Sequence, residues 1–89
     1  MANVYQVFLT KSAQKHLLKI YQSLPAIGRK ISQAIERLKR EPHLGAKLEG
    51  TKEEVRRIRV GDYRIIYEVH ETTITIIVLY IGPRGGAYS

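Results

Sequence analysis

The chain has 89 residues, 44% of them hydrophobic, with 15 Lys/Arg against 8 Asp/Glu and a formal charge of +7. That length reads as one small domain spanning residues 1–89, and the apolar content excludes a disordered chain. The absence of cysteine excludes a disulfide framework and a thiolate site, while the basic excess selects polyanionic partners, nucleic acid ahead of an acidic protein.

The start, MANVYQVFLT, lacks a basic stretch followed by a long apolar run, so it does not read as a signal peptide. No apolar run approaches the ~20 residues of a membrane span. No membrane partner is expected, and the expected location is the cytoplasm. Residues 4–10, VYQVFLT, are β-branched and aromatic enough for a strand. Thr10 or Ser12 can cap a helix carrying Ala13, Leu17, Ile20 and Leu24 on one apolar stripe. Lys11, Lys15 and Lys19 form a second row, either a solvated face or a contact row for RNA or a protein partner. Pro25 stops this helix and fits the first turn of the next, where Ile27, Ile31, Ile35 and Leu38 repeat at helical spacing. The second helix ends before Glu41-Pro42.

Residues 41–54, EPHLGAKLEGTKEE, read as a loop that Leu44 and Leu48 pin to the body. Three strands follow, at 55–60, 63–70 and 73–81, the first two joined by Gly61-Asp62 in a tight hairpin. The last, apolar on both faces, reads as central. The order β-α-α-β-β-β predicts an α+β fold: a small, largely antiparallel four-stranded sheet with a two-helix hairpin on one face. The charge is uneven along it. Residues 1–50 carry nine Lys/Arg against three Glu, and residues 51–89 carry six against five acids.

The arginines of VRRIRVGDYRIIYEV, residues 55–69, are a separate matter from that bulk charge. Side chains alternate faces along a strand, so Ile58 and Val60 face the helices together with Arg56, which is expected to bend to solvent. Arg57 and Arg59 then share the open face, roughly 7 Å apart. Arg64 lies in the next strand, and periodicity leaves its direction open. After the last strand come Arg84 and Tyr88. If this tail folds beside the hairpin, four guanidiniums and a phenol line one concavity suited to a phosphodiester. The competing expectation is surface pairing with Glu49, Glu53, Glu54, Glu68 or Glu71.

No standard catalytic set accompanies them, and neither GxxxxGK[ST] nor GxGxxG occurs. The acids show no metal-ligand spacing, so no metal site and no cofactor are expected. His16 reads as a helix surface or boundary residue and His43 as part of the loop. His70 is the one histidine expected near the arginines.

KLEG (47–50), RRIRVGDYRIIYEV (56–69) and GPRGGAY (82–88) together resemble the RelE/ParE superfamily of type II toxin–antitoxin proteins, over essentially the whole chain. The resemblance to its RelE branch implies a ribosome-dependent endoribonuclease that cuts mRNA in the ribosomal A site and so inhibits translation. It implies a cognate antitoxin as partner, contact with ribosomal RNA, and an antitoxin complex that binds operator DNA. Carried over by motif, the site residues are Arg57, Arg59, Arg64, Arg84 and Tyr88, with Lys11, Lys15, Lys19 and Arg56 as RNA or partner contacts. The implied reaction is metal-free attack by a ribose 2′-OH on the adjacent phosphorus.

Two departures from the branch stand out. The basic pair on its second strand is lysine in the best-known member and arginine here, and a guanidinium is a poor base at neutral pH. Some members use a glutamate base with a C-terminal histidine acid, whereas no histidine follows His70. The rival expectations are a ParE-like toxin that inhibits DNA gyrase, and a catalytically degenerate RNA- or antitoxin-binding module.

Overall fold

The computed structural model describes residues 4–48 and 54–83. They form β1 (Gln6–Leu9), α1 (Lys11–Ser23), α2 (Pro25–Leu38), β2 (Ala46–Lys47), β3 (Glu54–Val60), β4 (Tyr63–His70) and β5 (Thr75–Pro83). The sheet runs β1-β5-β4-β3-β2. β1 pairs parallel with β5 and every other pairing is antiparallel. The expected α+β architecture with a helix hairpin on one face is present; β5, expected to be central, is an interior strand between β1 and β4, and β4 takes the centre of the sheet. One strand was not foreseen. Ala46–Lys47, inside the stretch read as loop, pairs with Arg56 and Arg57 and makes the sheet five-stranded.

Local chemistry sets the helix ends. The Thr10 hydroxyl accepts a hydrogen bond from the Ala13 N–H at 3.1 Å, capping α1, and donates to the Leu79 carbonyl of β5. Pro25 opens α2, where its missing N–H leaves no donor unsatisfied. Ala13, Ile20, Ile31, Ile35 and Leu38 pack onto Ile65, Tyr67, Val69, Ile76, Val78 and Ile81 of the sheet. Leu24, expected on the α1 stripe, instead caps the junction between the helices and is 46% exposed.

The register of β4 on β5 shifts between Ile66 and Tyr67, which leaves Leu79 as an extra residue in β5. Such a bulge re-aims the side chains that follow it. Val78 and Ile81 consequently both enter the helix-side core, while Tyr80 pairs with Ile66. Beyond the end of β1, α1 covers the outer edge of β5. There His16 Nδ1 hydrogen-bonds the Ile81 carbonyl at 3.1 Å, and its ring meets Tyr80 edge-on with centroids 6.0 Å apart. His16 is thus the boundary residue its helix position implies.

The connection after α2 is not held by Leu44, which is 42% exposed. Buried Tyr67 holds it, donating its hydroxyl hydrogen to the Pro42 carbonyl at 2.8 Å and accepting from the Gly45 N–H at 2.9 Å. The approach demands glycine, since a Cβ at Gly45 would lie 2.6 Å from the Arg57 carbonyl oxygen and 2.8 Å from the Tyr67 oxygen. Burial raises the Tyr67 phenol above its ordinary pKa, the Gly45 N–H and Arg56 act to lower it, and Glu54 adds to the rise. The β3–β4 hairpin turns on Gly61 at φ +59° with Asp62 at negative φ, the sign pattern of a type II′ turn, which accounts for the Gly-Asp order.

Candidate functional site

Partners across an antiparallel ladder point to the same face of a sheet. Arg59 pairs with Arg64, and Arg57 pairs with Ile66. On the other side of β4, Arg64 pairs with Gly82 and Ile66 with Tyr80. Since Ile65, Tyr67 and Val69 belong to the helix-side core, Arg57, Arg59 and Arg64 all lie on the open face, around Ile66 and beside the end of β5. The direction of Arg64, which the sequence leaves open, follows from this register.

Three guanidiniums side by side repel one another, so their neighbours decide what they are for. Among the described residues none of the three has an ion pair or a side-chain hydrogen bond, and Arg64 Nε is sealed from solvent without a partner. A buried donor left unpaired costs about 1–3 kcal/mol, which an incoming anion would recover. The described glutamates expected as partners of the trio are engaged elsewhere, and Asp62 of the hairpin turn makes no ion pair among the described residues. Glu54 binds Arg56 and His43, Glu68 binds His70 at 2.8 Å, and Glu71 binds His43. Glu49 and Glu53 lie outside the described residues, as do Arg84 and Tyr88. The chain leaves the described segment at Pro83, next to Gly82, the partner of Arg64.

Two other expectations change. Arg56, read as a solvent-facing contact for RNA or a partner, is a structural residue. Its Nε donates to Glu54 at 2.7 Å and its Nη1 to the carbonyls of Gly45 at 2.6 Å and His43 at 3.2 Å. It sits on the helix-side face of β3, where backbone carbonyls of the preceding connection intercept it before it reaches solvent. His70 does not join the trio either. It closes the far end of β4, opposite Thr75, with Glu68 as its partner.

The cationic surface continues around the sheet. Arg57 and Arg59 also border a groove of about 560 Å³ between β3 and α2, with Lys30 and Arg37 on its helix side. Lys11, Lys15 and Lys19 are exposed on α1. Lys19 lines a pocket of about 280 Å³ with His16, Tyr63, Tyr80 and Gly82, at the same end of β5 as Arg64. No helix among the described residues is long and apolar enough to cross a membrane. One further cluster, invisible in residue spacing, brings the ligand atoms of His43, Glu54 and Glu71 together from three segments.

Residues 7–88 match the family described as the ParE toxin of type II toxin–antitoxin systems, parDE. The structure is similar to that of an archaeal RelE–RelB complex from Pyrococcus horikoshii OT3, at 37% identity and TM-score 0.77 over 94% of this chain and 99% of that one. It is similar to the Mycobacterium tuberculosis toxin–antitoxin complex RelBE2, at 26% identity and TM-score 0.78 over 91% of this chain and 99% of that one. The isolated Escherichia coli RelE toxin shares the fold, with 17% identity and TM-score 0.78 over 94% of this chain and 88% of that one. No curated protein sequence matches.

Proposed function

This chain belongs to the RelE/ParE superfamily of toxins from type II toxin–antitoxin systems, on its RelE-like branch, and we propose that it is a ribosome-dependent mRNA endoribonuclease. One observation carries the reading: among the described residues Arg57, Arg59 and Arg64 share the open face with no carboxylate partner, while Glu54, Glu68 and Glu71 are committed to other groups. A surface whose charges served only solubility would gain from pairing them, whereas a phosphodiester site must keep them free.

The reaction uses the message as its own nucleophile. The ribose 2′-oxygen attacks the adjacent phosphorus in line, a P–O2′ bond forms, and the P–O5′ bond breaks. The products are a 2′,3′-cyclic phosphate and a 5′-hydroxyl, with the 2′-proton ending formally on the leaving oxygen. Negative charge builds on the phosphoryl oxygens, and each fixed donor aimed at it contributes about 10²–10³ in rate. Arg64 and Arg84 are assigned to that charge, Arg64 with an Nε that has no competing partner among the described residues. Arg57 contacts phosphate near the leaving group and Arg59 acts electrostatically, because a guanidinium does not give up its proton readily enough to serve as base. Tyr88 orients or stacks on the nucleotide and assists with the 2′-proton. The ribosome supplies the bent, in-line geometry of the codon.

The toxin is proposed to act in the cytoplasm and to be held inactive by a cognate antitoxin, a partnership supported by the toxin–antitoxin complexes it resembles. Ribosomal RNA is the proposed partner of its basic helices, and operator DNA that of the antitoxin complex. A second reading, inhibition of DNA gyrase, is favoured by the description of the matching family as ParE toxins. A purified translation system separates the two. The nuclease reading predicts message cut only while translated, with gyrase supercoiling unaffected. Intact message with lost supercoiling overturns it in favour of gyrase.

A further inference from the structure

At the end of the β3–β4 ladder away from the hairpin, an imidazole and two carboxylates meet. His43 comes from the connection after α2, Glu54 opens β3, and Glu71 follows β4. His43 Nε2 lies 3.3 Å from Glu54 Oε2 and is hydrogen-bonded to Glu71 Oε1, and the three ligand atoms fall within 4.8 Å of one another. In a chain with 15 basic and 8 acidic side chains, Glu71 nonetheless has no Lys or Arg partner among the described residues.

The spacing suits a metal ion. Bonds of about 2.0–2.2 Å to nitrogen and oxygen at tetrahedral angles put neighbouring ligand atoms roughly 3.4 Å apart. The His43–Glu54 separation already matches this, and a cation would take the place of the closer His43–Glu71 hydrogen bond. Arg56 Nε, 2.7 Å from Glu54 Oε2, fixes that carboxylate from outside the site, as outer-shell donors do for ligating groups. His43 and Glu71 are about half exposed, so an ion can enter and water can fill the remaining position. Tyr5 lies in the same field: burial raises its phenol above the ordinary value, and Glu71 and then Glu54 raise it further.

We propose that His43, Glu54 and Glu71 form a divalent-cation site of the zinc class, which fastens the α2–β3 connection to the β4–β5 turn. One nitrogen with carboxylate oxygens favours Zn²⁺ over Mg²⁺ or Ca²⁺, which take oxygen alone. The site lies on the helix-side face and about 17 Å along β3 from Arg59, so it is independent of the arginine trio. Its role is structural.

The test is calorimetric titration of the full chain with ZnCl₂, visible absorption with CoCl₂ as spectroscopic probe, and thermal unfolding with and without Zn²⁺. The expected result is one equivalent bound with a Kd below about 100 μM and a Tm raised by at least about 4 °C. His43→Ala and Glu71→Gln should each weaken binding at least about tenfold and remove the cobalt bands, while His70→Ala leaves both intact. Circular dichroism of each variant separates loss of the site from loss of the fold. Absence of saturable binding, or binding by folded His43→Ala equal to that of the parent chain, overturns the proposal.

Discussion

Arg56 and Arg57 are adjacent in the chain and do opposite things. Arg56 points to the helix side of β3 and spends its donors on Glu54 and the carbonyls of His43 and Gly45. Arg57 points to the open face, where it joins Arg59 and Arg64 with no ion-pair partner among the described residues. Residue type is identical, so face and register alone decide whether the guanidinium holds the protein together or stays uncommitted on the open face. The same division separates the two ends of the β3–β4 ladder: bare cations near the hairpin, and carboxylates gathered on an imidazole at the far end.

Substitutions on the two faces should therefore fail in different ways. The largest effect is expected from removing the open-face pair. Arg57→Ala with Arg59→Ala should lower translation-dependent cleavage by at least about 10³-fold while Tm moves little, since only repulsion is relieved. Arg56→Ala should reverse the pattern. It leaves Glu54 and two carbonyls short of donors, at a cost of about 2 kcal/mol or roughly 8–16 °C in Tm, with cleavage per folded molecule retained. Arg59→Lys sharpens the electrostatic assignment: the rate should stay within about tenfold and its pH profile should keep its shape. A rate that climbs with pH in this variant would mean that lysine supplies a base the arginine lacks.

The smallest expected effect is on alkaline stability. Because the folded state raises the Tyr67 phenol above its ordinary value near 10, folding holds that proton more tightly than the unfolded chain does. The contribution is complete below pH 10 and declines as pH rises from there through the folded value. Tyr67→Phe should lose about 1–3 kcal/mol at neutral pH by orphaning the Gly45 N–H, and should show a shallower fall in stability above pH 10. Denaturant unfolding across that range checks both.

Much of this was legible because the two periodicities are strong. The stripe of Ile31, Ile35 and Leu38 and the alternation about Arg57 and Arg59 each state a face directly. What escaped has particular causes. Two residues, Ala46–Lys47, are too few to show a period. The fate of Arg56 depended on where the chain at 43–45 returns, which is a tertiary fact. Arg64 could be oriented only through its pairing with Arg59, and His43, Glu54 and Glu71 converge only once β3 and β4 are in register. The expected participation of Arg84 and Tyr88 falls outside the described residues.

The most direct test of the central claim compares Arg64→Ala with the parent chain in a purified translation system, reading message cleavage by primer extension and the fold by circular dichroism. If Arg64 stabilises the transition state, the variant folds and its translation-dependent cleavage falls by about 10²–10³-fold. A folded Arg64→Ala that cuts at the parental rate would contradict it.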